Sequence, residues 1–218
     1  MKKLILSVAV AGTLLSTISS AFAYEQGDWV VRVGITNIAP DDSSSNVNVG
    51  GTDLGAAVNV DNNTQLGLNF VYFYSPKLAI EVLAATPFSH DIGLDTVGAL
   101  GNTHHLPPTI SANYYFSKPS AKFQPYVGAG INYTVFFDEE FTRANSDAGF
   151  SNLDLDSSFG LATQVGFDYM LDDKWLVNAS VRWIDIDTEA SFDLNGAAGQ
   201  VDVSIDPFIY SITAGYRF

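Results

Sequence analysis

Large apolar side chains alternate with small or polar ones, residue by residue, in eight stretches of this sequence. A period of two marks a two-faced strand, whereas an amphipathic helix repeats its apolar positions at three and four. The stretches cover about 28–38, 64–74, 78–83, 109–116, 123–137, 157–169, 175–184 and 208–218. In the first, Trp29, Val31, Val33 and Ile35 fall on one face, and Arg32, Gly34 and Thr36 on the other. In the fifth, Val127, Ala129, Ile131, Tyr133 and Val135 oppose Tyr126, Gly128, Gly130, Asn132 and Thr134.

The connections between these strands alternate in length. Long ones span roughly 40–63, 87–106, 138–156 and 185–206, and short ones lie near 75–77, 117–122 and 171–174. An even strand number, short turns at one end and long loops at the other form the outer-membrane pattern. The sequence therefore predicts an all-β fold. It is an eight-stranded antiparallel transmembrane β-barrel with short periplasmic turns, four longer extracellular loops and both termini in the periplasm. The competing fold is a soluble barrel of lipocalin type with its apolar face inward. An eight-stranded bore has room for few side chains, and roughly forty large ones could not enter it. Aromatics gathered at strand ends (Trp29, Tyr72, Tyr74, Tyr114, Phe116, Tyr169, Trp175, Tyr216, Phe218) suit interfacial girdles.

Residues 1–23 read as a cleaved signal peptide: Lys2 and Lys3, an apolar run from Leu4 to Leu15, and Ala21-Phe22-Ala23 as the cleavage site. The barrel domain is then 24–218. Losing two lysines and no acids moves the net charge from −14 to −16, which excludes nucleic acid as a partner. The chain has no cysteine, hence no disulfide and no thiol chemistry. The lysines Lys77, Lys118, Lys122 and Lys174 lie in or beside the short turns, while acids crowd the long connections. The Ser-, Asn- and Gly-rich stretch 41–51 is expected to be mobile.

Several segments carry a resemblance to a known family. They are Asn62-Asn63-Thr64-Gln65-Leu66-Gly67-Leu68, EVLAATPF from Glu81, His104-His105-Leu106-Pro107-Pro108-Thr109 and YVGAGINYT from Tyr126. To these are added Trp175-Leu176-Val177-Asn178, Asp185-Ile186-Asp187-Thr188 and the ending Ala214-Gly215-Tyr216-Arg217-Phe218. With them the chain resembles the OmpW family of small outer-membrane proteins over essentially its whole mature length. That resemblance implies an unusually apolar lumen and movement of small hydrophobic compounds across the outer membrane. The chain departs from it at Arg182, a lumen-facing position of the seventh strand where the family can carry a bulky apolar residue.

Strand parity turns Arg32, Glu81, Asp168, Arg182 and Arg217 inward. Buried charges must pair, so an Arg–carboxylate cluster is expected to close the periplasmic end to free water flow. Val71, Phe73, Leu83, Ile184 and Ile209 share that parity and are candidates for a hydrophobic path. Pro87, Pro107 and Pro108 sit where the third strand ends and the fourth begins. Proline cannot donate to a ladder, so the upper pairing of these strands is expected to be interrupted, leaving a lateral gap toward the outer leaflet. His90, His104 and His105 lie on or beside one loop. Adjacent residues of an extended segment face opposite ways, so His104 and His105 do not easily share a metal ion. Asp138-Glu139-Glu140 and Asp185-x-Asp187 lack an EF-hand spacing and read as a solvated rim rather than a calcium site. A nucleophile with a base in reach is not apparent, so no enzymatic activity, metal or cofactor is expected.

The function these features favour is porin-like passive passage of small hydrophobic solutes, with lateral exit through the barrel wall as one route. The alternative is a non-conducting barrel acting as a surface receptor or structural anchor through its outer loops. Expected partners are outer-membrane lipid and lipopolysaccharide, and the closed wall predicts a monomer.

Overall fold

The computed structural model describes residues 24–94 and 98–218; the expected signal peptide lies outside the described residues. The eight expected strands all form. They are β1 (Trp29–Ala39), β2 (Asn63–Ser75), β3 (Leu78–Ala85), β4 (Thr109–Tyr115), β5 (Phe123–Phe141), β6 (Ser158–Met170), β7 (Trp175–Ile184) and β8 (Phe208–Arg217). Each pairs antiparallel with the next, and β8 returns to β1, from Val30 opposite Arg217 to Ala39 opposite Phe208. The result is a closed barrel.

The large apolar residues point outward. Ile35 is 65% exposed, Ile131 47% and Phe70 39%, while Arg32, Asn69, Glu81, Asn113 and Asp168 on the opposite face are buried. In water this arrangement would be costly, because apolar surface would be left wet on every strand. In hydrocarbon it is the favourable one, and closure satisfies the backbone groups that hydrocarbon cannot. Aromatic pairs collect at the turn end, where Trp29 meets Tyr72 with ring centroids 5.0 Å apart and Trp175 meets Tyr216 at 4.9 Å. Buried Gln124 stiffens the 117–122 turn by donating to the carbonyls of Lys118, Pro119 and Ala121.

The long connections differ from the expectation of open loops. Phe88–Leu94 pairs with Gly98–Leu106, which continues onto the upper part of β5, where Val135 faces Leu106 and Phe137 faces His104. Asp187–Leu194 pairs with Ala197–Ser204. The 41–51 stretch, expected to be mobile, is held against that hairpin, with Ser44 opposite Val203 and Val49 opposite Gly199. The physical reason is a second apolar cluster that these segments bury together: Val47, Val58, Ile92, Phe136, Phe192, Val201 and Val203. The wall of the barrel thus continues past the lipid as β-structure enclosing its own core.

Placement of the apolar band makes a direct expectation. Ile131→Arg, near the middle of β5, should destabilise the barrel by about 2–4 kcal/mol in lipid. Asp91→Arg on the exposed hairpin should change it by less than about 0.5 kcal/mol. Urea titration of both variants in bilayers checks the difference.

Candidate functional site

The barrel interior is stratified from the turn end to the loop end. Its floor is apolar: Tyr24, Val30, Val71, Phe73, Ala79, Tyr115, Tyr126, Met170 and Leu176 pack as one cluster. Tyr24 precedes β1 and folds back beneath it. Gly27 permits that reversal at φ +98°, and its N–H donates to the carbonyl of Phe73 at 2.8 Å. The Tyr24 ring stacks on Phe73 with centroids 3.9 Å apart.

Above the floor lies an ionic layer. Arg32 donates to Glu81 at 2.9 Å and to Asp168 at 2.7 Å. Arg182 donates to the other oxygen of Glu81 at 2.5 Å and to Gln164 at 2.6 Å. Two guanidinium groups and two carboxylates give no net charge. The remaining acceptor capacity is taken by neutral donors. Asn113 and Asn69 donate to Glu81, while Asn178 and the hydroxyl of Tyr24 donate to Asp168. Arg32 also donates to the Tyr115 hydroxyl at 2.8 Å. Desolvated ions hold together only with this degree of pairing. Small residues make the room: a Cβ at Gly166 would lie 2.6 Å from the Tyr126 hydroxyl.

A polar collar follows. Thr36 and Ser211 share a hydrogen bond of 3.0 Å, and Asn132 donates to Thr109 at 3.0 Å. Beyond the collar the interior is apolar again. Ile38, Ala162, Ile184 and Ile209 of the barrel join the loop-end cluster. Within that cluster is a cavity of 60 Å³ bordered by Val58, Ile92, Leu100, Phe136, Phe192 and Val201, among others. Two imidazoles, His90 and His105, border it as well.

The wall is incomplete at one place. The β3–β4 ladder ends with Leu83 opposite Thr109, and pairing resumes only with Phe88 opposite His105. Between these points 84–87 face 106–108 without a ladder. Continuing the lower register would set Pro108 against Ala84 and Pro107 against Ala85, and proline offers no N–H there. Only Pro107 turns its backbone toward β3; Pro108 turns the other way, its carbonyl accepting from the Tyr133 N–H of β5 at 3.1 Å.

The structure brings Arg32, Glu81, Asp168 and Arg182 together as one layer. Arg217 is placed lower, at the rim, 3.6 Å from Asp28. The candidate path residues are all buried but fall in different strata. Val71 and Phe73 belong to the floor, Ile184 and Ile209 to the loop-end cluster, with the ionic layer between them. Sequence reasoning missed the neutral members of the network, Tyr24, Asn69, Tyr115, Gln164 and Asn178. Parity put Asn69, Gln164 and Asn178 inside, but only the three-dimensional register shows that they converge on the charges. His104 faces away from His105 as extended geometry requires, its ring 6.0 Å from that of Phe137.

Comparison with known proteins gives a consistent result. The sequence profile described as the OmpW family matches residues 25–218. Outer membrane protein W of Escherichia coli K12 is 47% identical, with all of both chains covered. The crystal structure of the outer membrane protein OprG from Pseudomonas aeruginosa superposes with a TM-score of 0.87 at 41% identity, covering 90% of this chain and 98% of that one. A more distant relative is the dibenzothiophene metabolism operon protein PahQ of Pseudomonas aeruginosa. It is 28% identical over 89% of this chain and 90% of its own.

Two expectations follow. Glu81→Gln keeps the shape of the ionic layer but leaves two guanidinium groups without their shared carboxylate. Breaking a buried pair costs about 3–5 kcal/mol, which a urea midpoint in lipid reads, and ion conductance of the refolded barrel should rise. The second concerns the loop-end imidazoles, which lie beyond the apolar band on a hairpin whose outer face carries Ser89, Asp91 and His104. Burial holds His90 below its ordinary value and pulls His105 down to about 3. A depressed histidine has no effect on stability above its unfolded value near 6.5, and it destabilises the fold progressively as pH falls from there toward 3. Hydrogen exchange in Gly98–Leu106, corrected for intrinsic rate, should therefore quicken on acidification from pH 7 to pH 4, and His105→Phe should flatten that response.

Proposed function

The chain belongs to the OmpW family and is an outer-membrane protein, and on that premise we propose that it gives small apolar molecules a passive route through the outer leaflet. The solute enters the apolar chamber among the extracellular strands. It leaves sideways, through the unpaired stretch between 84–87 and 106–108, into the bilayer. The observation that carries this reading is the order of the strata. An apolar chamber sits directly above a polar collar and a paired ionic layer that spans the bore. An apolar solute gains nothing by displacing paired ions, since stripping a partner from a buried charge costs several kcal/mol. The side exit keeps it out of water and off the ions. The name of the relative PahQ points the same way, because dibenzothiophene is an apolar molecule.

A barrel that served only as an anchor would have no use for an apolar chamber, and polar side chains filling the bore from end to end would favour that alternative. Here polar filling is confined to the middle.

The test is uptake of a small apolar solute by cells making the wild-type barrel or the Pro107→Val, Pro108→Val double variant. Valine at 107 restores the N–H that can pair with Ala85 of β3, and valine at 108 restores the one on the β5 side. Uptake should fall several-fold while the barrel folds normally, and single-channel recordings should show little ion current in either form. Unchanged uptake would remove the lateral exit. Equal uptake with and without the barrel would favour a receptor or anchor acting through its outer strands.

A further inference from the structure

The chamber is mostly apolar: the hydroxyls of Thr103 and Thr188 on its lining donate to the carbonyls of His104 and Asp156, and a pair of imidazoles has hydrogen-bonding capacity left over. His90 and His105 are each 2% exposed, and their ring centroids lie 4.8 Å apart. The Nε2 atom of each is buried without a partner. The Nδ1 atom of His90 lies 2.5 Å from the carbonyl oxygen of Asp61. A carbonyl only accepts, so Nδ1 carries the proton and Nε2 of the neutral ring presents a lone pair. His105 has its Nε2 free to carry a proton. One acceptor and one donor thus sit side by side on the wall of a largely apolar cavity, and an unmade hydrogen bond there is expensive.

From this geometry we infer that the chamber binds small apolar molecules bearing a single hydroxyl group, with the hydroxyl bridging Nε2 of His90 and Nε2 of His105. A hydroxyl donates and accepts through the same oxygen, more strongly than a thiol does through sulfur. It donates to His90 and accepts from His105. Two hydrogen-bond arms of about 2.8 Å meeting at one oxygen reach across a gap of roughly 5 Å, which the ring separation allows. A carboxylate would lack the proton that His90 needs. A plain hydrocarbon would leave both nitrogens unpaired. The cavity of 60 Å³ suits the hydroxyl end and a few carbons, with Ile92, Leu100 and Phe192 around the chain. This inference rests on the transport reading, naming the class of solute that its chamber retains.

The experiment uses the full mature barrel, histidine-labelled with ¹⁵N, in lipid nanodiscs, titrated with 1-butanol or n-pentane, which have the same number of heavy atoms. His104, the other of the chain's three histidines, faces away from the pair and serves as an internal control. Butanol should move the Nε2 resonances of His90 and His105 saturably and leave His104 in place. In His105→Phe, the half-saturation for butanol, read at His90, should rise about fivefold, the worth of one net hydrogen bond, while pentane binding is unchanged. Phenylalanine suits the apolar lining, so the variant should fold. Equal responses to butanol and pentane in wild type and variant would overturn the inference, leaving a plain apolar cavity. So would Nε2 shifts already typical of hydrogen-bonded nitrogen and unmoved by butanol, which mean a resident water. Uptake of both solutes is measured alongside. Normal uptake without a butanol-specific shift rejects only the hydroxyl site, whereas a saturable shift without uptake of either solute rejects only the transport reading.

Discussion

Hydrocarbon cannot hydrogen-bond a peptide group, and that single constraint organises this molecule. Every N–H and C=O within the lipid must find a partner in the chain, so the sheet has to close, and β8 returning to β1 supplies the last ladder. Closure of eight strands then fixes the bore. It is too narrow for large side chains on both faces, so the large ones go out and glycine, serine, threonine and asparagine go in. Once the bore is lined by small and polar groups, the few long residues that point inward must account for one another. That is why Arg32, Arg182, Glu81 and Asp168 meet, although they come from four different strands.

The same constraint explains why the gap between β3 and β4 comes where it does. Proline at 107 removes the donor that would meet the backbone of Ala85 across the seam, while Pro108 and Ala84 turn their backbones to β5 and β2. Within the lipid core such a loss would be severe. It is tolerated near the upper boundary, where the wall passes from hydrocarbon to a β-structured extension with its own core. The extension is not decoration on the barrel. It pairs directly with the top of β5 and shares its apolar cluster with Ile38, Ile184 and Ile209 of the barrel wall. The chamber is therefore built jointly by strands inside and outside the membrane.

How far the sequence reveals this depends on the period of each signal. Period-two alternation extends over whole strands, so all eight were legible, and with them the inward parity of Glu81 and Asp168. The charged members of the network were legible because a buried charge cannot stand alone. Tyr24 was not, since it lies outside any strand and reaches Asp168 by a turn at Gly27. The loop-end strands escaped notice for a different reason. Their apolar residues, such as Val47, Val49, Phe192 and Val201, alternate over only a few positions and are interleaved with Asp, Asn and Gly, which locally read as turn residues. Their pairing is long-range, 44 with 203 and 49 with 199, and nothing local reports it. The pairing of His90 with His105 is likewise a product of hairpin register.

Stratification also settles what kind of selectivity such a barrel can have. A uniform polar bore selects by size and charge, and a uniform apolar one by hydrophobicity alone, at about 0.8 kcal/mol for each methylene buried. An apolar chamber resting on a neutral ionic layer separates the two tasks. On the proposed route the ions keep water and solutes off the long axis of the barrel, and two guanidinium groups with two carboxylates carry no net charge to draw a counter-ion into the bore. The chamber is then free to discriminate among apolar molecules. In a dry wall, the strongest discriminators are not further methyl groups but the rare polar atoms left without partners, because each makes the difference between a satisfied and an unsatisfied hydrogen bond. A chamber with many such atoms would fill with water and cease to be apolar. One with none would hold any hydrocarbon of the right size. Two imidazole nitrogens among aliphatic and phenyl groups lie between those limits, polar enough to choose and too few to wet the chamber.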